Sequence, residues 1–137
     1  MEDHSLMGQA GRLSPAALAY IGDAVFELFV REALAAQAKG AAPRILHRRA
    51  TSLVRASAQA RMARELAPEL TEEESAVLRR GRNAHCGRVP QGVEVAEYRL
   101  ATGFESLIGF LYLCGRTARL RELLSKALRL SVKEGTW

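Results

Sequence analysis

Two acidic residues lie in strongly apolar surroundings and are the first candidates for chemistry. Asp23 is in the segment Ala-Tyr-Ile-Gly-Asp-Ala-Val-Phe, and Glu105 is in Thr-Gly-Phe-Glu-Ser-Leu-Ile-Gly-Phe. A carboxylate among apolar side chains is costly unless it is ion-paired, hydrogen-bonded or bound to a metal. Each acid also has a glycine nearby, Gly22 or Gly103, which lets a backbone or a ligand approach closely.

Two interpretations of these acids remain open from the spacing alone. Each carboxylate could pair with one of the 17 arginines of the chain. Alternatively, the two helices that carry Asp23 and Glu105 pack together and share a divalent cation, because hard cations such as Mg²⁺ prefer carboxylate oxygens. Glu27 lies one turn after Asp23, and we interpret it as a solvent-facing partner of Arg31.

Basic residues are concentrated in two stretches without acids. The net charge is +5 and the pI is about 9.8, which favours an anionic partner, nucleic acid before a membrane surface. The stretch 41–64 holds six arginines and the stretch 75–93 holds four. Each could be a solvated helix face or could contact phosphates. Aromatic residues make up 6% of the chain, which argues against a single-strand stacking platform and leaves duplex recognition.

The second basic stretch runs from a helix end into a loop that contains Gly87, Pro90 and Gly92. A basic loop beside a helix end can follow a phosphate backbone. We therefore predict that this segment contacts a nucleic-acid backbone through Arg80, Arg82, Asn83, His85 and Arg88. The alternative is that its arginines pair with the glutamates of 72–74 or with Glu94 and only support the fold.

Composition favours one compact domain. The chain has 137 residues, of which 48% are apolar and 26% charged, so disorder is excluded and a core can form without cross-links. Two cysteines exclude a disulfide scaffold and a four-cysteine zinc site. The first ten residues have no apolar signal region, and the longest apolar stretch, 16–30, is too short to span a bilayer. These features lead us to expect a cytoplasmic protein without a membrane segment.

Apolar residues recur at helical spacing, and no strand-like alternation persists. The pattern predicts an all-α fold of about six helices in one domain, 14–132, after a flexible N-terminal tail, 1–13. Predicted helix starts are marked by caps at Ser14, Ser57 and Thr117 and by a capping box of Thr71 and Glu74. The predicted helices cover 15–39, 44–56, 58–67, 72–84, 94–114 and 118–132.

Several of these segments resemble the ribonuclease III catalytic domain. The segment 19–27, Ala-Tyr-Ile-Gly-Asp-Ala-Val-Phe-Glu, resembles the family's signature helix, and 104–107, Phe-Glu-Ser-Leu, resembles its second acidic helix. The segments 46–50 and 80–84 and the Thr-Glu-Glu-Glu start at 71–74 resemble the Mini-III subfamily. The resemblance covers about residues 18–124.

The resemblance implies a ribonuclease III-type endonuclease domain that works as a homodimer. It implies Mg²⁺-dependent cleavage of double-stranded RNA that leaves 5′-phosphate ends, with Mn²⁺ as a possible substitute. Asp23 and Glu105 would be the catalytic and metal-binding residues. For the Mini-III subfamily it implies maturation of the 23S ribosomal RNA precursor by a chain without a separate double-stranded-RNA-binding domain.

The two motifs of this chain contain fewer acidic residues than those of larger ribonuclease III enzymes. Those enzymes carry further acids at the positions of Ala19 and Thr102. Mini-III relatives resemble this chain in lacking both of these acids. Two other functions are to be distinguished: a non-catalytic duplex-RNA-binding factor for ribosome assembly, and a helical protein-interaction domain. The first would bind RNA without cutting it, and the second would show no salt-sensitive RNA binding.

Overall fold

A computed structural model describes residues 10–84 and 87–133, and this part of the chain is all-α, as predicted. A short 3-10 turn, Ala67–Glu69, follows the third helix. The six helices are α1 Pro15–Gln37, α2 Pro43–Leu53, α3 Ala56–Leu66, α4 Glu72–Asn83, α5 Val95–Leu113 and α6 Thr117–Lys133.

Helix α5 is the centre of the fold. It packs against α1, α3, α4 and α6, and its second half is buried on nearly every side. Such a helix needs apolar or small residues around its whole circumference, which explains its unusually apolar sequence. Phe104 of α5 meets Phe26 of α1 edge-to-face, with ring centroids 5.3 Å apart. Helix α5 therefore fixes the relative positions of the helices that surround it.

Helices α1 and α5 touch backbone to backbone at two glycines. A Cβ atom on Gly22 would lie 1.8 Å from the carbonyl oxygen of Glu105, and one on Gly109 would lie 2.0 Å from that of Leu18. No side chain fits at either point, so the close approach requires glycine. The Ser106 hydroxyl, which is fully buried, donates a hydrogen bond to the Pro15 carbonyl at 2.9 Å in the same interface.

A buried ion pair joins the start of α4 to α6. Glu74 is 2% exposed, and Arg119 donates to both its carboxylate oxygens, at 2.9 and 2.8 Å. The same guanidinium donates to the Glu69 carbonyl at 2.8 Å. The hydrogen bond from Arg119, with its charge, holds the pKa of Glu74 below its ordinary value.

The predicted caps are partly confirmed. The Ser14 hydroxyl accepts from the Ala17 amide at 3.1 Å, and Thr71 and Glu74 form the capping box. The cap at Ser57 is wrong because α3 begins two residues earlier, with Arg55 at its N-cap. Thr117 is the first residue of α6 and not its cap.

Three further expectations concern the N-terminal tail, the two cysteines and the absence of a membrane-spanning helix. Most of the predicted tail, 1–13, lies outside the described residues, but Ala10 is 3% exposed and packs into the core. Cys114 is a free, half-buried thiol, whereas Cys86 is outside the described part. Among the described helices, none combines the length and apolarity needed to cross a membrane.

Candidate active site

The fold brings Asp23 and Glu105 together, although they are 82 positions apart in the sequence. Asp23 follows Gly22, whose Cα packs on the backbone of Glu105 itself. The glycine contact between α1 and α5 thus sets the two carboxyl groups side by side. The apolar sequence around each acid favours burial, but Asp23 is exposed, whereas Glu105 is half-buried. The two carboxyl groups therefore lie where the interface between α1 and α5 reaches the protein surface.

The environment of Glu105 disfavours its ionisation. Burial, a hydrogen bond that the protonated Glu105 donates to Asp23, and repulsion by the Asp23 charge raise the pKa of Glu105 to about 9. A hydrogen bond with the Gln59 side chain opposes these effects in part. Two carboxyl groups this close cannot both be charged cheaply unless a cation lies between them.

Gln59 of α3 is a site residue that the sequence analysis missed. Its side chain is 2% exposed and contacts the Glu105 carboxyl group from a third helix. A signal for it exists in the sequence, because Gln59, Met62 and Leu66 recur at helical spacing and share the inward face of α3. A polar residue on an otherwise apolar stripe needs a partner, and here the partner is Glu105.

Neither carboxylate has an arginine partner among residues 10–84 and 87–133. The ion-pair interpretation of Asp23 and Glu105 is therefore wrong for the described part of the chain. Glu27 does pair with Arg31, at 2.8 Å, as predicted. Across the same ranges no group of three or more acidic, histidine or cysteine side chains is placed to hold a metal.

The residues present fit a divalent cation held by two carboxylates. Both ligands are oxygens, which suit Mg²⁺, and Mg²⁺ usually keeps several waters and takes only one or two carboxylates from the protein. Burial first, and then the neighbouring Asp23 carboxyl group, raise the pKa of Glu105, and a cation between the two groups would favour the ionised form of both. Asp23 and Glu105 are the residues that would hold it.

The predicted RNA-contacting residues lie at the end of α4 and in the following loop. Arg80, Arg82, Asn83 and Arg88 are exposed, and the Arg82 guanidinium donates to the Asn83 side chain at 3.3 Å. His85 lies outside the described residues. In the described part, two glutamates of α4 have arginine partners at or near the start of α6: Glu73 pairs with Arg116, just before α6, and Glu74 pairs with Arg119 of α6. No described carboxylate pairs with these loop arginines, so the fold-supporting alternative has no contact in its favour.

This arrangement matches known proteins in sequence and fold. The family described as Ribonuclease III domain matches residues 16–116. A Mini-ribonuclease 3 of Thermoanaerobacter sp. is 42% identical over 132 residues, which cover 95% of this chain and 92% of the relative. A Mini-ribonuclease 3 of Gloeobacter violaceus is 50% identical over 79% of this chain and 78% of its own length.

A solved structure agrees. The crystal structure of a protein from Fusobacterium nucleatum superposes with a TM-score of 0.77 at 26% identity, covering 85% of this chain and 92% of that one. The family match spans α1 to the end of α5, and so includes both candidate acids. The chain therefore belongs to the ribonuclease III family and is an endoribonuclease of the Mini-ribonuclease 3 type.

Proposed function

We propose that Asp23 and Glu105 form the catalytic centre of this double-stranded-RNA endoribonuclease and that its cleavage depends on Mg²⁺. The observation that carries the proposal is the contact of these two carboxyl groups from different helices, neither of them ion-paired with an arginine of the described chain. An acid pair that serves only the fold would be expected to have a cationic partner.

Each residue of the pair has a distinct role. Asp23 is exposed and presents its carboxylate to the substrate side, while the half-buried Glu105 is held in place by Gln59. Because both sit on packed helices and not on loops, their separation is fixed before substrate arrives. Bound by the pair, Mg²⁺ would supply charge stabilisation at the scissile phosphate and a water of lowered pKa. Mn²⁺ is the expected substitute.

We further propose that Arg80, Arg82 and Arg88, at the end of α4 and in the following loop, hold the duplex. The proposed substrate is the 23S ribosomal RNA precursor, and the proposed location of the protein is the cytoplasm. Arginine forks bind phosphate oxygens regardless of base sequence, so this contact provides grip and not cleavage-site choice. Arg80, Arg82 and Arg88 are exposed and form no ion pair with a carboxylate of the described chain, which supports this role.

A second copy of the chain is the proposed partner of the apolar face beside the acid pair. Tyr20, Leu28 and Tyr112 are 81%, 55% and 49% exposed, and they line one shallow groove with Asp23 and Glu27. Monomers rarely leave such large apolar side chains grouped in water. A two-fold dimer across this groove would place two acid pairs on opposite strands of a duplex, matching its pseudo-symmetry.

Cleavage of duplex RNA by the purified protein, with Mg²⁺ or with EDTA, tests the catalytic proposal. Asp23→Asn is expected to abolish cleavage while the melting temperature and RNA binding stay close to the parent values. Glu27→Gln is the matched control, because it removes a carboxylate one turn away that pairs with Arg31. Parent-rate cleavage by Asp23→Asn, or Mg²⁺-independent cleavage, would contradict the proposal.

Two assays test the RNA and dimer proposals separately. Replacing Arg80, Arg82 and Arg88 by Gln is expected to weaken binding equally for different duplexes while cleavage at saturating RNA survives. An unchanged salt dependence with a lowered melting temperature would instead assign these residues to the fold. Light scattering is expected to give twice the 15.0 kDa chain mass and to fall toward 15.0 kDa for Leu28→Asp. Ile45→Asp, at another exposed apolar residue, is the control.

A further inference from the structure

Gln59 is a polar side chain on the buried face of α3. It is 2% exposed, and every other buried residue of α3 is apolar. A buried amide costs free energy unless its polar atoms have partners, whereas a Met or Leu side chain would fill similar space without that cost. Packing alone therefore does not account for an amide at this position, and its contacts do.

The Gln59 amide contacts the carboxyl group of Glu105, and the hydrogen bond between them favours the ionised form of that group. A hydrogen bond with this effect is one in which the amide N–H donates to a carboxylate oxygen. The backbone of Gln59 is itself held in the first turn of α3, where its N–H donates to the Arg55 carbonyl at 3.0 Å. The donor therefore reaches Glu105 from a packed helix and not from a loop.

The hydroxyl groups that are closest to Glu105 along α5 already have other acceptors. Ser106, the next residue, and Thr102, three residues earlier, each donate to a backbone carbonyl, at 2.9 and 3.0 Å. Their protons are therefore not available to the Glu105 carboxylate. Among the described residues, the side chains that hydrogen-bond to this carboxyl group are the acidic Asp23 and the neutral Gln59.

A neutral donor suits a pair of carboxylates that has to bind a cation. A Lys or Arg side chain at position 59 would also hold Glu105, but its charge would neutralise the pair and compete with a metal ion. An apolar side chain would leave Glu105 without this hydrogen bond. The amide holds the carboxylate and leaves its negative charge available, as is usual for groups that hydrogen-bond to the carboxylate ligands of metal ions.

We infer that Gln59 is a positioning residue, whose amide orients the Glu105 carboxylate toward Asp23 so that the two acids hold one divalent cation. The inference rests on the proposed function, because it assigns a further residue to the same metal site. Gln59 acts through Glu105, since a side chain that is 2% exposed is out of reach of the RNA. The alternative is that the amide serves only the packing of α3.

Binding of Mn²⁺ to the full chain without RNA tests the inference, because this measurement does not depend on cleavage. Mn²⁺ takes the same oxygen ligands as Mg²⁺, and electron paramagnetic resonance measures the free ion. Gln59→Met keeps the length of the side chain and removes its hydrogen bond. This variant is expected to bind Mn²⁺ about 10- to 100-fold more weakly, the usual effect of losing a hydrogen bond to a metal ligand. Its melting temperature in EDTA is expected to be no lower than the parent's, because an apolar group replaces a buried amide.

Three further variants make the result specific. Met62→Leu changes a fully buried residue of the same helix and is expected to leave Mn²⁺ binding at the parent strength. Gln59→Glu places a protonated carboxyl donor in the same position and is expected to bind Mn²⁺ more tightly than Gln59→Met. Gln59→Asn has an amide that is one methylene too short, so it is expected to lose binding and replaces Gln59→Met if that variant does not fold. Parent-strength binding by Gln59→Met or Gln59→Asn, an equal loss in Met62→Leu, or no recovery in Gln59→Glu would overturn the inference.

Failure of the proposed function is distinguishable from failure of the inference. If the parent protein binds Mn²⁺ and Asp23→Asn does not, the proposed metal site is supported, and parent-strength binding by Gln59→Met then refutes the inference alone. If Asp23→Asn binds Mn²⁺ as tightly as the parent, or the parent does not bind it, the proposed metal site and the inference both fail.

Discussion

Glu105→Gln is expected to make the metal-free protein more stable at neutral pH, although it removes a proposed catalytic group. Glu105 has a pKa of about 9 in the folded chain and an ordinary value of 4.5 in the unfolded chain. Between these values the folded protein holds a proton that the unfolded protein releases, so stability falls as the pH rises. The neutral amide of Gln has no proton to lose and escapes this penalty.

The magnitude follows from the two values. Each pH unit above 4.5 costs about 1.4 kcal/mol, so at pH 7 the penalty is about 3 kcal/mol. That is a large fraction of the free energy of unfolding of a small domain. The gain of the variant over the parent is therefore expected to be small near pH 4.5 and to grow steadily up to about pH 9.

Urea unfolding in EDTA, at one protein concentration and at pH 5, 7 and 8.5, measures this difference. Asp23→Asn is expected to give a smaller gain, because it removes the repulsion but leaves Glu105 buried. Adding Mg²⁺ is expected to stabilise the parent and not Glu105→Gln, since binding to the folded state alone raises stability. Parallel pH profiles for parent and Glu105→Gln, or a variant less stable at pH 7, would refute the reasoning.

Two further changes test the supports of the site. Gly22→Ala is expected to destabilise the protein by roughly 3 kcal/mol in thermal melts, at the upper end for overpacking, because the added Cβ would meet the rigid backbone of Glu105. Gly11→Ala is the control and is expected to leave stability unchanged, because no atom lies within 4 Å of a Cβ there. Arg119→Met is expected to cost about 2 to 4 kcal/mol at pH 7 by leaving Glu74 buried without a partner. Because the pair holds the pKa of Glu74 low, that cost is expected to shrink as the pH falls below 4.5, and a cost that does not change with pH would contradict it.

Local chemistry was predictable from the sequence, and tertiary geometry was not. The Ser14 cap and the capping box of Thr71 and Glu74 depend on residues three positions apart, so the sequence contains all their information. The cap at Ser57 failed because α3 begins at Ala56, two residues before the predicted start, and a good capping residue was left inside the helix. Local preference is weak beside the packing of α3 on α5.

At the candidate site, too, the sequence predicted individual residues but not how they contact one another. Apolar surroundings marked Asp23 and Glu105 individually, but their contact depends on how α1 crosses α5, which no spacing encodes. The exposure of Asp23 follows from that crossing too, because the apolar residues around it cover other sides of α1. Gln59 contacts Glu105 from α3, 46 positions earlier in the chain, and its role is evident only when three helices are seen together.

The two-glycine contact between α1 and α5 has a consequence for how this enzyme can be altered. Backbone atoms, and not adjustable side chains, set the spacing of the carboxyl groups, so that spacing cannot be tuned by exchanging one residue for another. The side chains of the basic residues on α2 and at the end of α4 are exposed. The strength of RNA binding can therefore be changed there by substitution alone, while the chemistry remains fixed by a part of the molecule that tolerates no added atom.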